Sequence, residues 1–229
     1  MARIVLIGSS GHAKVIADIV ERAGTHVIAG LIDSFRRAGE TAFGYPVLGS
    51  EHELPALLRR DAATAGIVAI GDNWQRGRMV EKIAALEPRF SYVSAVHPGA
   101  VIASSAAVGA GSVVMAGAVL NPGTRLGAHC IVNTSAALDH DCTLGDFASV
   151  APMVAAGGNV TLGEYAAALL GAKIAPRRRL GRHAVVGAGA LVLDDVADHT
   201  LAYGVPARPV RTRREGDAYL DDAARGARA

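Results

Sequence analysis

Two rhythms of apolar positions divide the chain. In the first part, short apolar runs alternate with helix-like spacing. Arg3–Ile7 reads as a strand, Gly8–Gly11 as a tight turn, and His12–Gly24 as a helix. That helix carries Val15, Ile16, Ile19 and Val20, with Gly24 closing it. Val27–Ile32 predicts a second strand, ending at Asp33. Ser50 and Glu53 fit a capping box opening a helix through Leu58. Gly66–Ile70 predicts a third strand, and Trp74–Leu86 a further helix. Strands alternating with helices imply a small parallel sheet of Rossmann-like α/β type over residues 1–94.

After Ser94 the period becomes six. From Val96 through Ile102, Val108 and Val114 to Val186 and Val192, seventeen successive positions six apart are all aliphatic. Four residues after each stands a small or β-branched residue, Arg178 excepted. Neither a helix nor an ordinary strand has this period. One large and one small inward residue per hexad describes a triangular coil, three hexads to a turn. The glycines directly after large residues (Gly109, Gly127, Gly145, Gly163, Gly181, Gly187) fit tight backbone turns. Arg178, beside Arg177 and Arg179, predicts a bulge, with the register in doubt over 166–180. The coil is assigned to 95–211, and a charged tail without assigned function, a short helix or disordered, to 212–229.

Composition then narrows the class. Aromatics make up 4% of the chain, so the core must be built from small and branched aliphatic side chains. A net charge of +2 argues against a surface dominated by nucleic-acid phosphates. Cys130 and Cys142 are the two cysteines, at small inward positions, so neither a disulfide framework nor a Cys-rich metal site is expected. The N-terminal apolar run is too short for a signal sequence, and no stretch is long enough for a membrane span. A soluble cytoplasmic protein is the expectation.

Two places could carry chemistry. His140, within Asp139-His140-Asp141, stands two residues after inward Leu138 and should project at a coil corner. Imidazole titrates near neutrality and can take a proton from a nucleophile, with a neighbouring carboxylate orienting it. A solvated surface histidine is the plain alternative. The Gly8–His12 turn enters a helix, where backbone N–H groups favour phosphate. It lacks the full dinucleotide fingerprint, so a plain strand-to-helix turn competes. No two histidines are five apart, which argues against a multi-histidine metal site.

The hexad repeat resembles that of the bacterial hexapeptide acyltransferases, whose coil is a left-handed parallel β-helix. The whole chain is similar to one branch, the sialic acid O-acetyltransferase-like sugar acyltransferases. That branch includes the UDP-4-amino-sugar and GDP-perosamine N-acetyltransferases. The matching stretches are IVLIGSSGHAKVI at the start, LID at 31–33, AIGDN at 69–73, VNTSAALDHDCTLGDFASVAP at 132–152 and YGVPAR at 203–208. The resemblance implies transfer of acetyl from acetyl-CoA to the amine of a nucleotide-linked amino sugar, without a metal. His140 would be the base and Asp141 its partner, with Asp139 possible. Ser10, Gly11, His12, Asp33, Ser34 and Gly71 would hold the nucleotide-sugar. Ser149, Gly158, Leu170 and Ala188 would line the cofactor arm, and Arg177, Arg178, Arg179 and Arg182 would meet its phosphates unless they form a solvated basic loop. A homotrimer is expected, because the cofactor arm has too little wall on one chain. Sugar O-acetylation is the alternative activity. A non-catalytic nucleotide-sugar-binding assembly module is the second alternative.

Overall fold

The computed structural model describes residues 1–60 and 64–220. The chain begins with β1 (Ala2–Ile7), α1 (Gly11–Ala23), β2 (His26–Ile32), β3 (Thr41–Ala42) and β4 (Tyr45–Gly49). Then come α2 (Leu54–Arg59), β5 (Ala65–Val68), α3 (Asn73–Leu86) and β6 (Ser91–Tyr92). They form one sheet in the order β3-β4-β2-β1-β5-β6, with β1 parallel to both β2 and β5. Alternation along β1 decides the layering. Ile4 and Leu6 pack with Ala13, Ile16, Ile19 and Val20 of α1, while Val5 and Ile7 pack with Leu54 and Ile83 on the opposite face.

Three local expectations change. Val15 is exposed, because the buried stripe of α1 runs through Ala13, Ile16, Ala17, Ile19 and Val20. The capping box does not form. The Ser50 hydroxyl donates to the Glu53 carboxylate at 2.7 Å, and a short 3₁₀ turn over Glu51–Glu53 precedes α2. The β3–β4 hairpin carries no periodic signal in the sequence, because one strand is two residues long and the other is interrupted by Pro46.

Seventeen two-residue strands, β7 (Ala95–Val96) to β23 (Leu191–Val192), then follow at six-residue steps among the described residues. They stack as three parallel sheets, each strand pairing with the one eighteen residues on. We call the sheets containing Ala95–Val96, Val101–Ile102 and Ala107–Val108 faces one, two and three. The second residue of each strand points inward, and the prism fills with one continuous aliphatic core that includes both cysteines.

The corners correct one sequence reading. The backbone turns through a left-handed residue at 111, 117, 123 and onward every six residues to 189. These sites hold Gly, His, Ser, Asp, Phe, Met, Asn, Tyr or Arg. The glycines after the large residues answer instead to close approach between coils. A Cβ on Gly145 would stand 2.7 Å from the Glu164 nitrogen.

The register is unbroken over 166–180, where Ala167 pairs with Val185, Lys173 with Leu191 and Thr161 with Arg179. No bulge forms at Arg178; its half-buried side chain turns to Asp195 at 3.8 Å. The shift comes later. Leu180 pairs with Val196 and Val186 with Ala202, both sixteen residues apart, so the last turn is two residues short. Val196 therefore takes a large inward position. The Asp195 carboxylate accepts the Arg179 N–H at 3.0 Å, satisfying a donor beside the shortened stretch.

The coil ends in an antiparallel pair, β24 (Thr200–Gly204) and β25 (Ala207–Thr212). Residues 213–220 contain turns and no helix, and fold back along face one. The rest of the expected tail, 221–229, lies outside the described residues. No helix among the described residues is long and apolar enough to cross a membrane.

Candidate functional site

His140 stands on the corner between faces two and three, with about half of its side chain exposed. Asp141 is the left-handed residue of that corner (φ 58°), which turns its carboxylate back to the ring. Nδ1 of His140 lies 2.8 Å from Asp141 Oδ2. An ionised carboxylate only accepts, so Nδ1 carries the proton and Nε2 is left as an acceptor. The hydrogen bond to Asp141, assisted by the charges of Asp139 and Asp141, raises the imidazole pKa above its ordinary value. Asp139 plays another part. Its Oδ1 accepts the His140 backbone N–H at 2.8 Å and the Asn121 side-chain amide at 3.0 Å, pinning the corner rather than the ring.

A second site is a cavity of about 710 Å³ at the C-terminal ends of β1, β2 and β5. This is where an open parallel sheet offers a crevice, between strands whose connections run in opposite directions. Gly8 (φ 117°) lets the β1 loop pass the β5 loop; a Cβ there would stand 2.9 Å from the Ala69 carbonyl oxygen. Ser10 caps α1 without a side-chain hydrogen bond, leaving the helix N-terminus open for an anion. Asp33 is held by Ser9 Oγ at 2.5 Å and the Phe35 N–H at 2.8 Å.

Of the six residues predicted for this site, Ser10, Asp33, Ser34 and Gly71 line the cavity. Gly11 lies beside it as the first residue of α1, with open space around its Cα. His12 is not in the lining. Burial, then the Arg76 charge, lowers its pKa to about 4, so the ring is neutral near pH 7.

Comparison with known proteins agrees with both halves. Residues 3–83 match the PglD N-terminal domain family. A UDP-N-acetylbacillosamine N-acetyltransferase of Bacillus subtilis is 32% identical over 116 residues, 50% of this chain and 52% of that protein. The match thus spans about half the length of that curated relative. PerB of Caulobacter crescentus, solved with CoA and GDP-perosamine, superposes with a TM-score of 0.84 at 37% identity, covering 92% of this chain and 98% of that one. The acetyltransferase domain of PglB from Neisseria gonorrhoeae, solved with acetyl coenzyme A, gives 0.82 at 34% identity, covering 91% and 99%. The chain belongs to the sialic acid O-acetyltransferase-like sugar acyltransferases. Its coil is the left-handed β-helix of that family.

The four residues predicted for the cofactor arm do not converge within one chain. Gly158 lies one coil turn beyond His140, against its ring. Leu170 and Ala188, eighteen residues apart, are exposed on the corner between faces one and two. Ser149 lies on face one. Three of the four arginines face acids: Arg178 faces Asp195 at 3.8 Å, Arg179 faces Asp198 at 3.9 Å, and Arg182 faces Glu164 and Glu215 at 3.6 and 3.7 Å. No group of three His, Cys, Asp or Glu suited to a metal occurs among the described residues.

Sequence reasoning missed what fixes the chain's two halves together. Arg76 of α3 is 1% exposed and, among the described residues, has no carboxylate partner in its hydrogen bonds. It donates to the carbonyls of His129 and Phe147 on the coil, to those of Ile70 and Gly71, and to Asn73 Oδ1. Asn73 in turn donates to the carbonyls of Tyr165 and Ala166. Those coil residues lie at one corner, where His129, Phe147, Tyr165, His183 and His199 stack ring on ring at 4.7–5.1 Å. Two polar residues one turn apart at the start of α3 were the available signal. Also unread was Glu51, 2% exposed at the cavity wall, which accepts from Ser34 and Lys82. Burial opposes its charge, but those two donors outweigh it and bring the pKa down to about 2.

Proposed function

We propose that this protein transfers acetyl from acetyl-CoA to the amine of a nucleotide-linked amino sugar in glycan or glycoprotein biosynthesis. His140 acts as general base. The observation that carries the reading is the His140–Asp141 pair on the coil corner. It leaves Nε2 as an acceptor beside Gly158, on a ring about half exposed, with Nδ1 held by a carboxylate. The amine attacks the thioester carbonyl carbon while Nε2 takes its proton. The tetrahedral intermediate then collapses, the C–S bond breaks, and the proton held on Nε2 passes to the sulfur, so that CoA leaves as the thiol. The PerB complex, with CoA and GDP-perosamine on the same protein, supports this pair of substrates.

The cavity holds the nucleotide part, with the diphosphate on the N-terminus of α1 and the ribose at Asp33. All of its lining residues belong to the N-terminal sheet domain. That domain packs on face one through Ala95, Val113, Met115 and Ile131. His140 occupies the corner opposite face one. The acceptor bound in one chain therefore meets the histidine of another, which requires an oligomer. Face two supports a homotrimer, since five of its six outward residues, Val101, Val119, Ala137, Ala155 and Leu191, are aliphatic, with Lys173 the sixth. The corresponding positions of face three include Arg125, Thr143, Thr161 and Arg179. A screen of nucleotide-linked 4-amino sugars with acetyl-CoA, read by free-thiol release, tests the activity. Thiol release with sialic acid instead of any amino sugar would replace it with O-acetylation.

A further inference from the structure

We propose that the C-terminal segment Arg213–Leu220 forms the sugar-side wall of the acceptor site, with Leu220 as its contact surface. The inference rests on the nucleotide-sugar reading above and extends it to a segment for which that reading has no use.

Sheet order fixes the direction of the ligand. With strands in the order β2-β1-β5, the loop carrying Asp33, the loop carrying Ser10 and Gly11, and the loop carrying Gly71 lie side by side in that sequence. A nucleotide-sugar is linear: nucleoside, diphosphate, sugar. If ribose lies at Asp33 and diphosphate at the α1 N-terminus, the sugar must leave across Gly71, toward the coil. Leu220 stands at that rim. Leu220 Cδ1 stands 3.7 Å from the position of a Cβ on Gly71, and the side chain is 52% exposed.

The segment is anchored as a wall has to be. The Arg213 N–H donates to the His199 carbonyl at 2.6 Å, and its guanidinium lies 5.5 Å from the centre of the Tyr219 ring. Tyr219 packs against Ala167, Val185 and Leu201 on face one. Its phenol oxygen accepts the Asn73 N–H at 3.1 Å. Tyr219 thereby ties the start of α3 to face one, one residue before Leu220. The leucine itself gains little burial from this arrangement, so its apolar surface is available to the carbon face of a pyranose ring.

The test uses the full-length chain carrying Leu220→Asp, with Leu220→Ala as the milder variant. Trp74 is the only tryptophan, and Gly216 lies against its indole, so Trp74 emission reports whether the segment remains docked. With emission unchanged, KM for the nucleotide-amino-sugar should rise about tenfold. The Kd of GDP or UDP, which lack the sugar, should stay within about twofold. An unchanged KM with the segment docked would overturn the assignment. So would an equal loss of nucleoside diphosphate binding, which would put Leu220 on the nucleotide half. If the unaltered protein binds neither diphosphate and acetylates no nucleotide-amino-sugar, the nucleotide-sugar reading itself fails, and the wall falls with it.

Discussion

The His140 ring lies against Gly158, its neighbour one coil turn on: a Cβ at Gly158 would stand 2.7 Å from the ring's Cε1. That separation is below any ordinary carbon–carbon contact, so the orientation of the proposed base depends on a missing methyl. Gly158→Ala should push the imidazole out of its present rotamer. The ring is exposed and free to move, so folding should survive. A misplacement of about 1 Å can cost about 10²-fold in rate, and kcat should fall by that order while Tm stays close to that of the parent.

Removing the base itself should cost more. His140→Ala should lower kcat by about 10²–10⁴-fold, the usual worth of general-base assistance. Because His140 lies outside the packed prism, light scattering and thermal melts should match those of the parent. A folded variant with near-normal turnover on the true acceptor would take the proton transfer away from His140.

The pH profile follows from the His140–Asp141 pair. The hydrogen bond to Asp141 raises the His140 pKa above 6.5. The basic form exists above that pKa, so the rate should fall as pH drops through a value higher than for a free imidazole. Asp141→Asn removes the charge that favours the imidazolium. Its acid limb should move to lower pH, measured as kcat/KM on one acceptor. A limb that stays in place or moves upward would show that Asp141 does not tune the ring.

Catalysis between chains can be tested by mixing. Chains carrying His140→Ala and chains carrying a bulky residue at Gly11 should each be weak on their own. Denatured and refolded together, they should regain activity, because some mixed assemblies pair an intact cavity with an intact histidine. Mixtures no more active than their parts would place both halves of the site on one chain.

Arg76 should prove a stability residue. Its donors serve backbone carbonyls of both halves, which Arg76→Lys cannot reach with three donors on a point-like ammonium. Leaving buried carbonyls unpaired should cost roughly 2–4 kcal/mol and lower Tm by about 5–15 °C. Nucleotide binding should weaken only as far as the Gly71 loop shifts.

The sequence by itself determined the coil. Each hexad of Val96 to Val192 carries its own inward residues, and successive turns pair only with their neighbours, so a local period becomes a global shape. The first sheet was legible for a similar reason, through short apolar runs and helical spacing. Tertiary structure alone decided the rest. Val196 moved from a small to a large inward position because the turn above Arg178 is two residues short, and pairing with Leu180 shows this where the hexad count does not. Asp139 and Asp141 flank His140 equally in sequence, but the left-handed backbone at Asp141 turns only that carboxylate to Nδ1. Arg76 and Asn73 meet the carbonyls of residues 129, 147, 165 and 166, and Leu220 meets Gly71, across separations that no local pattern encodes. Periodicity records which side of an element faces the core; it does not record which distant surfaces are brought together.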